Sequence, residues 1–356
     1  MPHAMAVTLI TGGSGFVGSH VVRALAKRGD ELRLFARRRA NLSHFEDLDF
    51  ERATGDITDR RAVRRAMEGV ERVFHVAGTT AIRAEDRQRI FDVNVRGTRI
   101  VFEEALAAEV QRAVLTSSIG AIGPARPRGT VDEAHVFDAG HLDMPYLDSK
   151  HEAEMEALRL AAKGLPVVCV NPSFCWGPDD PTGTSMTVLR RFLQRKIPAY
   201  ADGAMNIVDV RDVARGHLLA DEKGAVGERY ILGGRNFTLD RLFSDLARIS
   251  GVEPPSVKLP RFVLVGAAEA ATRLRMPVPV SREEAKGVAL WWTCRNAKAK
   301  RELGFKPRPH EETLEDAVNW QLANNQSGEA AEPGPEAVVL GAMGRAIRAG
   351  ERLVGR

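Results

Sequence analysis

Through Asn171 the chain alternates short, unbroken apolar runs with longer stretches in which apolar residues recur every three or four positions. Ala6 to Ile10, Glu31 to Ala36, Phe50 to Thr54, Val70 to Val76, Arg112 to Thr116 and Pro166 to Val170 read as strands. Ser19 to Arg28, Asp59 to Glu68, Gln88 to Glu109 and Tyr146 to Lys163 read as helices. In the first of these, Val21, Val22, Leu25 and Ala26 make the apolar face. Apolar strands alternating with helices predict one parallel sheet covered on both faces. The fold class is α/β, doubly wound.

Beyond Asn171 the rhythm changes. Residues 174 to 206 are rich in Pro, Gly and Met, with a helix near Ser185 to Arg195. A strand at Asn206 to Val210 leads to Asp212, the predicted cap of a helix running to Ala220. Arg229 to Leu232 is a further strand, and Thr238 opens a helix that ends near Gly251. From Pro254 to Gly304 lie apolar and basic helices interrupted by Pro277 and Pro279.

The turn from the first strand to the first helix is Thr11-Gly12-Gly13-Ser14-Gly15-Phe16-Val17-Gly18. Strand, glycine turn and helix in that order begin a dinucleotide-binding βαβ unit of the Rossmann type. Gly12 allows the tight turn, Gly15 lets the backbone approach a pyrophosphate, and Gly18 lets the helix pack closely on the sheet. Phe16 and Val17 belong to the same cofactor-binding turn. After Ala36 come Arg37, Arg38 and Arg39, where an NAD-specific site carries an acid for the ribose 2′-hydroxyl. Arginine there suits a 2′-phosphate and favours NADP(H) over NAD(H), although a solvated loop has the same composition. Asp56, in Gly55-Asp56-Ile57-Thr58-Asp59, stands at a strand end facing the expected adenine site. A helix cap explains one of Asp56 and Asp59 equally well. Small residues at Ala77 and Gly78 let the backbone pass close to a cofactor, and His75 before them reads as a packed structural residue.

Residues 1–172 are thus the expected NAD(P)-binding domain, with returning strands around 206–232 rejoining its sheet. Residues 173–323 form mainly a smaller C-terminal substrate-binding lobe, and 324–335 a linker by composition. In the tail, 336–356, Val339, Met343, Ile347, Gly350 and Val354 share one helical face, with Arg345, Arg348, Arg352 and Arg356 mostly off it. That tail is either partly disordered or a weak contact for an anionic membrane surface.

With 44% hydrophobic and 28% charged residues, the composition is that of a globular protein. A formal charge of +4 over 356 residues, without basic runs interleaved with aromatics, argues against nucleic-acid binding. Cys169, Cys175 and Cys294 form no CxxC pair and leave an odd count, which predicts reduced thiols in the core. No signal peptide and no run of about 18 apolar residues is present, so a soluble cytoplasmic protein is expected. No metal site is expected.

Tyr146 and Lys150 lie four apart at the start of a helix and share one face. Ser118 stands just after the strand that ends at Thr116. A carbonyl that receives a hydride becomes an alkoxide that needs a proton, and Tyr146 can supply it. A free phenol titrates near pH ~10, and the Lys150 ammonium is expected to lower that value. Ser118 would donate a hydrogen bond to the carbonyl oxygen.

With these residues in hand, the sequence resembles the extended short-chain dehydrogenase/reductase superfamily, the NAD-dependent epimerase/dehydratase group. T-G-G-S-G-F-V-G at 11–18, G-D-I-T-D at 55–59, H-V-A-G at 75–78, N-V-R-G-T at 94–98, T-S-S at 116–118, Y-L-D-S-K at 146–150, N-P-S at 171–173 and V-D-V-R-D-V-A at 208–214 carry the likeness, which covers about residues 6 to 322. It is most similar to the branch of dihydroflavonol reductases, cinnamoyl-CoA reductases, 3β-hydroxysteroid dehydrogenases and hopanoid-associated sugar epimerases. The resemblance implies that Ser118, Tyr146 and Lys150 are catalytic and that Lys150 also binds the nicotinamide ribose. It places Arg37, with Arg38 beside it, at a 2′-phosphate and Asp56 and Ile57 beside the adenine. It counts Thr116 among the cofactor-binding residues and places Pro172 and Ser173 near the nicotinamide. It further implies a homodimer through the helices at 88–109 and 146–163.

Three functions fit these features: an NADP-dependent reductase of an apolar aldehyde or ketone, an NAD-dependent nucleotide-sugar epimerase or dehydratase, and a cofactor-sensing regulator. Retention of the Tyr146/Lys150 pair argues against the regulator. Nucleotide-sugar enzymes of the resembled family place an arginine just before the strand at Ile207–Val210, and here Ala204-Met205-Asn206 carries no cation. Phe174, Trp176, Met186 and Met205 are the expected walls of an apolar substrate pocket, with core packing the alternative for each. The reductase is favoured.

Overall fold

The computed structural model describes residues 7–80, 86–180, 186–197, 199–273 and 286–324. Its main sheet contains β1 (Val7–Thr11), β2 (Glu31–Ala36), β3 (Glu51–Thr54), β4 (Val70–His75), β5 (Arg112–Thr116) and β6 (Val167–Pro172). After β7 (Phe174–Trp176), β8 (Ala199–Ala201) and β9 (Ala204–Asp209), the chain returns to this sheet as β10 (Arg229–Leu232). The order is β10-β6-β5-β4-β1-β2-β3, and every neighbouring pair is parallel. The direction of winding reverses between β1 and β4, which opens a crevice at the carboxyl ends of those strands.

Alternation along each strand sends successive side chains to opposite faces. Ile10, Leu34, Phe74, Val114 and Val168 join one apolar cluster, with Val21, Val22 and Leu25 of α1 (Phe16–Arg28). Leu9, Phe35, Val73, Leu115 and Cys169 point the other way. They meet Ile100, Val101 and Phe102 from the helical segment between β4 and β5. That segment is α3 (Arg87–Phe91), a π turn at Asp92–Arg96 and α4 (Gly97–Ala107), preceded in the chain by α2 (Arg60–Ala66). Both faces are covered, so strands without polar alternation are the stable choice.

Asp59 caps α2, its carboxylate accepting from the N–H groups of Arg61 and Ala62. Asp56 instead accepts from the backbone and hydroxyl of Thr58 at 2.9 and 2.7 Å, a local turn. After β5 come the single turn α5 (Ile119–Ile122) and the long α6 (Pro145–Ala161), whose first position is a proline with φ already set for a helix.

The expectation that both returning strands rejoin the main sheet is half corrected. β10 does, but the strand predicted at Asn206–Val210 is β9 of a separate sheet. There it pairs with β7, with β11 (Arg235–Thr238) and with β13 (Trp291–Trp292). All six residues of β9 are buried, so it needs partners on both edges, and the main sheet offers it none. β12 (Val257–Leu259) pairs with β8 alone. Between these strands lie α7 (Thr187–Leu193), α8 (Val210–Lys223), α9 (Leu239–Ser250) and α10 (Arg261–Arg273), and the helix His310–Asn324 follows. The predicted cap of α8 also shifts. Asp209 caps it through Arg211 N–H, because the helix begins at Val210, whereas Asp212 accepts from the backbone of Arg308 at 2.7 Å. Thr238 caps α9. Cys169, Cys175 and Cys294 are free and buried. Pro277, Pro279, the linker beyond Asn324 and the tail at 336–356 lie outside the described residues.

Two histidines are sealed beneath the crevice. His75 touches Thr11 Oγ1 at 2.7 Å and Thr98 Oγ1 at 3.0 Å. His217 donates from Nδ1 to Val213 O at 2.8 Å, so its Nε2 accepts from the Thr116 hydroxyl at 2.8 Å. Burial lowers both from 6.5, to about 3 for His75 and about 4 for His217. The unfolded chain then takes up these protons before the folded one does. Stability is therefore fully present above pH 6.5 and declines as pH falls toward 4 and 3. Melting temperature against pH should show this loss, each histidine adding a slope of up to about 1.4 kcal/mol per pH unit, and His217→Gln should flatten it.

Candidate active site

At the end of β1 the chain turns so tightly that Gly12 takes φ +74°, and a Cβ there would lie 2.5 Å from the Ala77 nitrogen. A Cβ on Gly18 would stand 2.0 Å from Gly12 O. Gly15 closes the turn with an N–H to Gly12 O at 3.0 Å and precedes α1, whose N-terminus has no side-chain cap. The N–H groups of Phe16, Val17 and Gly18 therefore point out of the helix with no helical acceptor. Val76 N–H and Ala77 N–H bond to the backbone and hydroxyl oxygens of Thr11, holding the end of β4 against this turn.

At the far side of the crevice Arg37, Arg38 and Arg39 follow β2, all exposed. Among the described residues their guanidinium groups have no protein partner, while Arg52 ties down the backbone carbonyls of Arg37 and Arg38. Asp56 is exposed at the end of β3, and Ile57 packs beneath it against Gly97, where a Cβ would come within 2.7 Å of the Ile57 side chain.

On the other flank of the crevice the Ser118 hydroxyl is hydrogen-bonded to the Tyr146 phenol, and Lys150, one turn further along α6, reaches the end of β5. Ser118 caps α5, its Oγ accepting from Gly120 N–H at 3.0 Å, which leaves the hydroxyl proton free to donate. Gly120 lies beside both: a Cβ there would be in van der Waals contact with Ser118 Oγ and the Tyr146 ring, each at 3.4 Å. Lys150 Nζ donates to Thr116 O at 2.9 Å, and the Thr116 side chain turns away to His217. Burial draws Lys150 down to about 8, with Glu154 pulling the other way. The expected lowering of Tyr146 is corrected. Burial raises its phenol, a hydrogen bond from Ser118 partly offsets this, and the Lys150 ammonium is committed to the Thr116 carbonyl.

One residue without an assigned role in the sequence reading joins them. Asn94, on the π turn, accepts from Thr79 N–H at 2.8 Å and donates to Thr79 O and Ser149 Oγ at 3.0 Å each. The N-V-R-G-T motif carried it, but nothing local shows that its amide reaches α6. A Cβ on Gly78 would sit 3.2 Å from Asn94 Oδ1 and 3.6 Å from Lys150 Nζ.

These features fit a nicotinamide dinucleotide: an uncapped helix N-terminus for the pyrophosphate, glycines where a side chain would fill the cradle, and proton donors at the crevice floor. The family model for the NAD dependent epimerase/dehydratase family matches residues 8–233. The chain belongs to that family. Across 88% of its length it is 36% identical to sterol demethylase protein B of Methylococcus capsulatus, covering 97% of that protein. Across 87% it is 35% identical to a putative dihydroflavonol 4-reductase of a Synechocystis strain, covering 93%. The crystal structure of gox2253 superposes with a TM-score of 0.79 at 38% identity, over 90% of this chain and 98% of that one.

With reductases and dehydrogenases among its relatives, this epimerase/dehydratase family member is an NAD(P)-dependent oxidoreductase acting on CH–OH or C=O groups. Three of the four residues expected to wall a substrate pocket are enclosed. Trp176, Met186 and Met205 lie inside the packed core; Phe174 alone is half-buried, set edge-on to Trp292 at 6.1 Å. Large apolar side chains suit a core and a pocket equally; Trp176 lies in β7 and Met205 in β9, strands that pair with each other. Pro172 is buried at the end of β6, and the Ser173 hydroxyl donates to Asn206 Oδ1 at 2.7 Å. Among the described residues no His, Cys, Asp and Glu cluster could hold a metal, and no helix is long and apolar enough to cross a membrane.

The cradle makes a direct prediction. Gly12→Ala forces the β1–α1 turn away from Ala77 and should weaken NAD(P)H binding by about tenfold or more in calorimetric titration. Unchanged affinity in a folded variant would show that this turn does not hold the dinucleotide.

Proposed function

We propose that the protein is an NADP(H)-dependent reductase of an apolar aldehyde or ketone, or the oxidant of the matching alcohol, with Ser118, Tyr146 and Lys150 as its catalytic residues. The observation that carries this reading is the state of Ala204, Met205 and Asn206, where resembled nucleotide-sugar enzymes place an arginine. All three are buried, and the Asn206 side chain is consumed internally by Ser173, Gly234 and Asn236. A buried, satisfied stretch has nothing with which to grip a diphosphate. The relatives named for a sterol and for a dihydroflavonol support the same direction.

A bound nicotinamide supplies or accepts the hydride. The Ser118 hydroxyl donates to the carbonyl oxygen and holds it in place. As negative charge develops on that oxygen, Tyr146 delivers its proton, which a phenol raised by burial retains at neutral pH. Lys150, charged below about 8 and bonded to Thr116 O, keeps a positive charge at the crevice floor as the phenolate forms. Exposed Arg37 and Arg38, without an acid beside them, favour a 2′-phosphate. Residues 1–172 with β10 supply the cofactor side and 173–323 mainly the substrate side. We also place the protein in the cytoplasm as a homodimer through the helices at 88–109 and 146–163, which size-exclusion chromatography with light scattering would test.

Cofactor analysis after purification separates this reading from its alternative. Protein that is empty as purified, and that binds NADPH well and NADH poorly, supports the reductase; stoichiometric, tightly held NAD⁺ supports an epimerase or dehydratase. Tyr146→Phe should keep cofactor binding while turnover falls by about 10²–10⁴-fold. Arg37→Ala should weaken NADPH far more than NADH in parallel fluorescence titrations; equal weakening would refute the NADP preference.

A further inference from the structure

Glu154 lies one turn beyond Lys150 on α6 and has no exposed surface. A carboxylate at that depth requires partners. Asn171 Nδ2 donates to its Oε2 at 2.6 Å, and Arg229 Nη1 to its Oε1 at 3.0 Å. The same Asn171 nitrogen donates to Ser118 O at 3.1 Å. Arg229 extends the connection, donating to Glu133 O and His135 O at 2.9 Å each. One carboxylate thus joins α6, the end of β6, the edge strand β10 and the loop after α5. It does so beside two of the three reacting side chains.

Well-packed apolar residues could hold these elements together at least as firmly as a buried ion pair, so its presence is weak evidence of stabilisation. We propose that Glu154, clasped by Asn171 and Arg229, is a positioning residue: it stands one helical turn from Lys150 as the buried anion of α6, and Asn171 carries the same clasp to the backbone of Ser118. This rests on the Ser118, Tyr146 and Lys150 reading above. The surroundings of Lys150 agree with it. Burial alone lowers the lysine, and Glu154 is the anion that opposes this. Tyr146 on α6 is a neutral phenol and His75 on β4 a neutral imidazole, while β5 offers only the Thr116 carbonyl. Facing Glu154 are Arg229 on β10 and Cys169 on β6, whose thiol burial and Glu154 keep protonated.

The test follows the Lys150 charge directly in the full-length protein. Lysine labelled with ¹³C at Cε reports each titration by NMR, and Lys150→Arg identifies the signal. In Glu154→Gln the Lys150 midpoint should fall by about one pH unit or more, since an opposite charge has been removed. Glu154→Asp should restore part of that shift. If Glu154→Gln does not fold because Arg229 is left unpaired, Glu154→Gln/Arg229→Met removes both charges and should still lower the midpoint. A midpoint that stays at the wild-type value in either folded variant overturns the proposal. Because this readout needs no substrate, it fails independently of Tyr146→Phe, whose retained turnover would instead sink the catalytic reading. A second readout is the alkaline limb of kcat for carbonyl reduction. It should move to lower pH in Glu154→Gln, whereas a merely structural role would lower the amount of active protein and leave the limb in place.

Discussion

The whole arrangement depends on backbone meeting backbone where β1 turns into α1. Gly18 against Gly12 and Gly12 against Ala77 leave no room for a single methyl group. That contact seats α1 over the sheet and presses the end of β4 against the turn. The crevice between these strands exists because the winding reverses there. The candidate site is placed relative to that crevice: the arginines after β2 on one flank, and the α5–α6 pair on the other.

A second constraint governs the opposite flank. The lysine and the glutamate of α6 are buried ionisable groups, and each is bound to backbone or amide partners. The histidines below them remain neutral because burial disfavours the imidazolium, and each ring is hydrogen-bonded at both nitrogens. The result is a floor of polar groups with fixed hydrogen-bond directions. The phenol and hydroxyl that line the crevice stand on it.

Much of the fold is legible in the sequence because its signals are local. Strand runs, the glycine turn, the Asp59 cap and the proline that opens α6 each occupy a few adjacent residues. What the sequence hides is non-local. Whether β9 pairs with β10's sheet or with β7, β11 and β13 depends on partners scattered from residue 174 to residue 292. Asp209 and Asp212 are within one turn of each other, so a small shift in the helix start exchanges their roles. Trp176, Met186 and Met205 look alike whether they line a pocket or fill a core. Around the candidate site, Tyr146 and Lys150 are readable from their spacing, but Glu154 is not, since its partners stand 17 and 75 positions away. The direction of the Tyr146 shift depends on burial and on where the Lys150 ammonium is directed, neither of which a spacing reveals.

β10 closes the outer edge of the main sheet, yet it arrives about sixty residues after β6, its only neighbour there. During synthesis the first six strands emerge with the β6 edge open, a row of unpaired backbone groups able to template pairing with another chain. Among the described residues, the intervening strands β7, β8 and β9 build two other sheets and leave that edge uncovered. When β10 docks it brings Arg229, which pairs with Glu154 at the same moment. A nascent chain therefore gains protection of its sheet edge and completion of the polar floor in one late step, and a chain truncated before residue 229 would lack both.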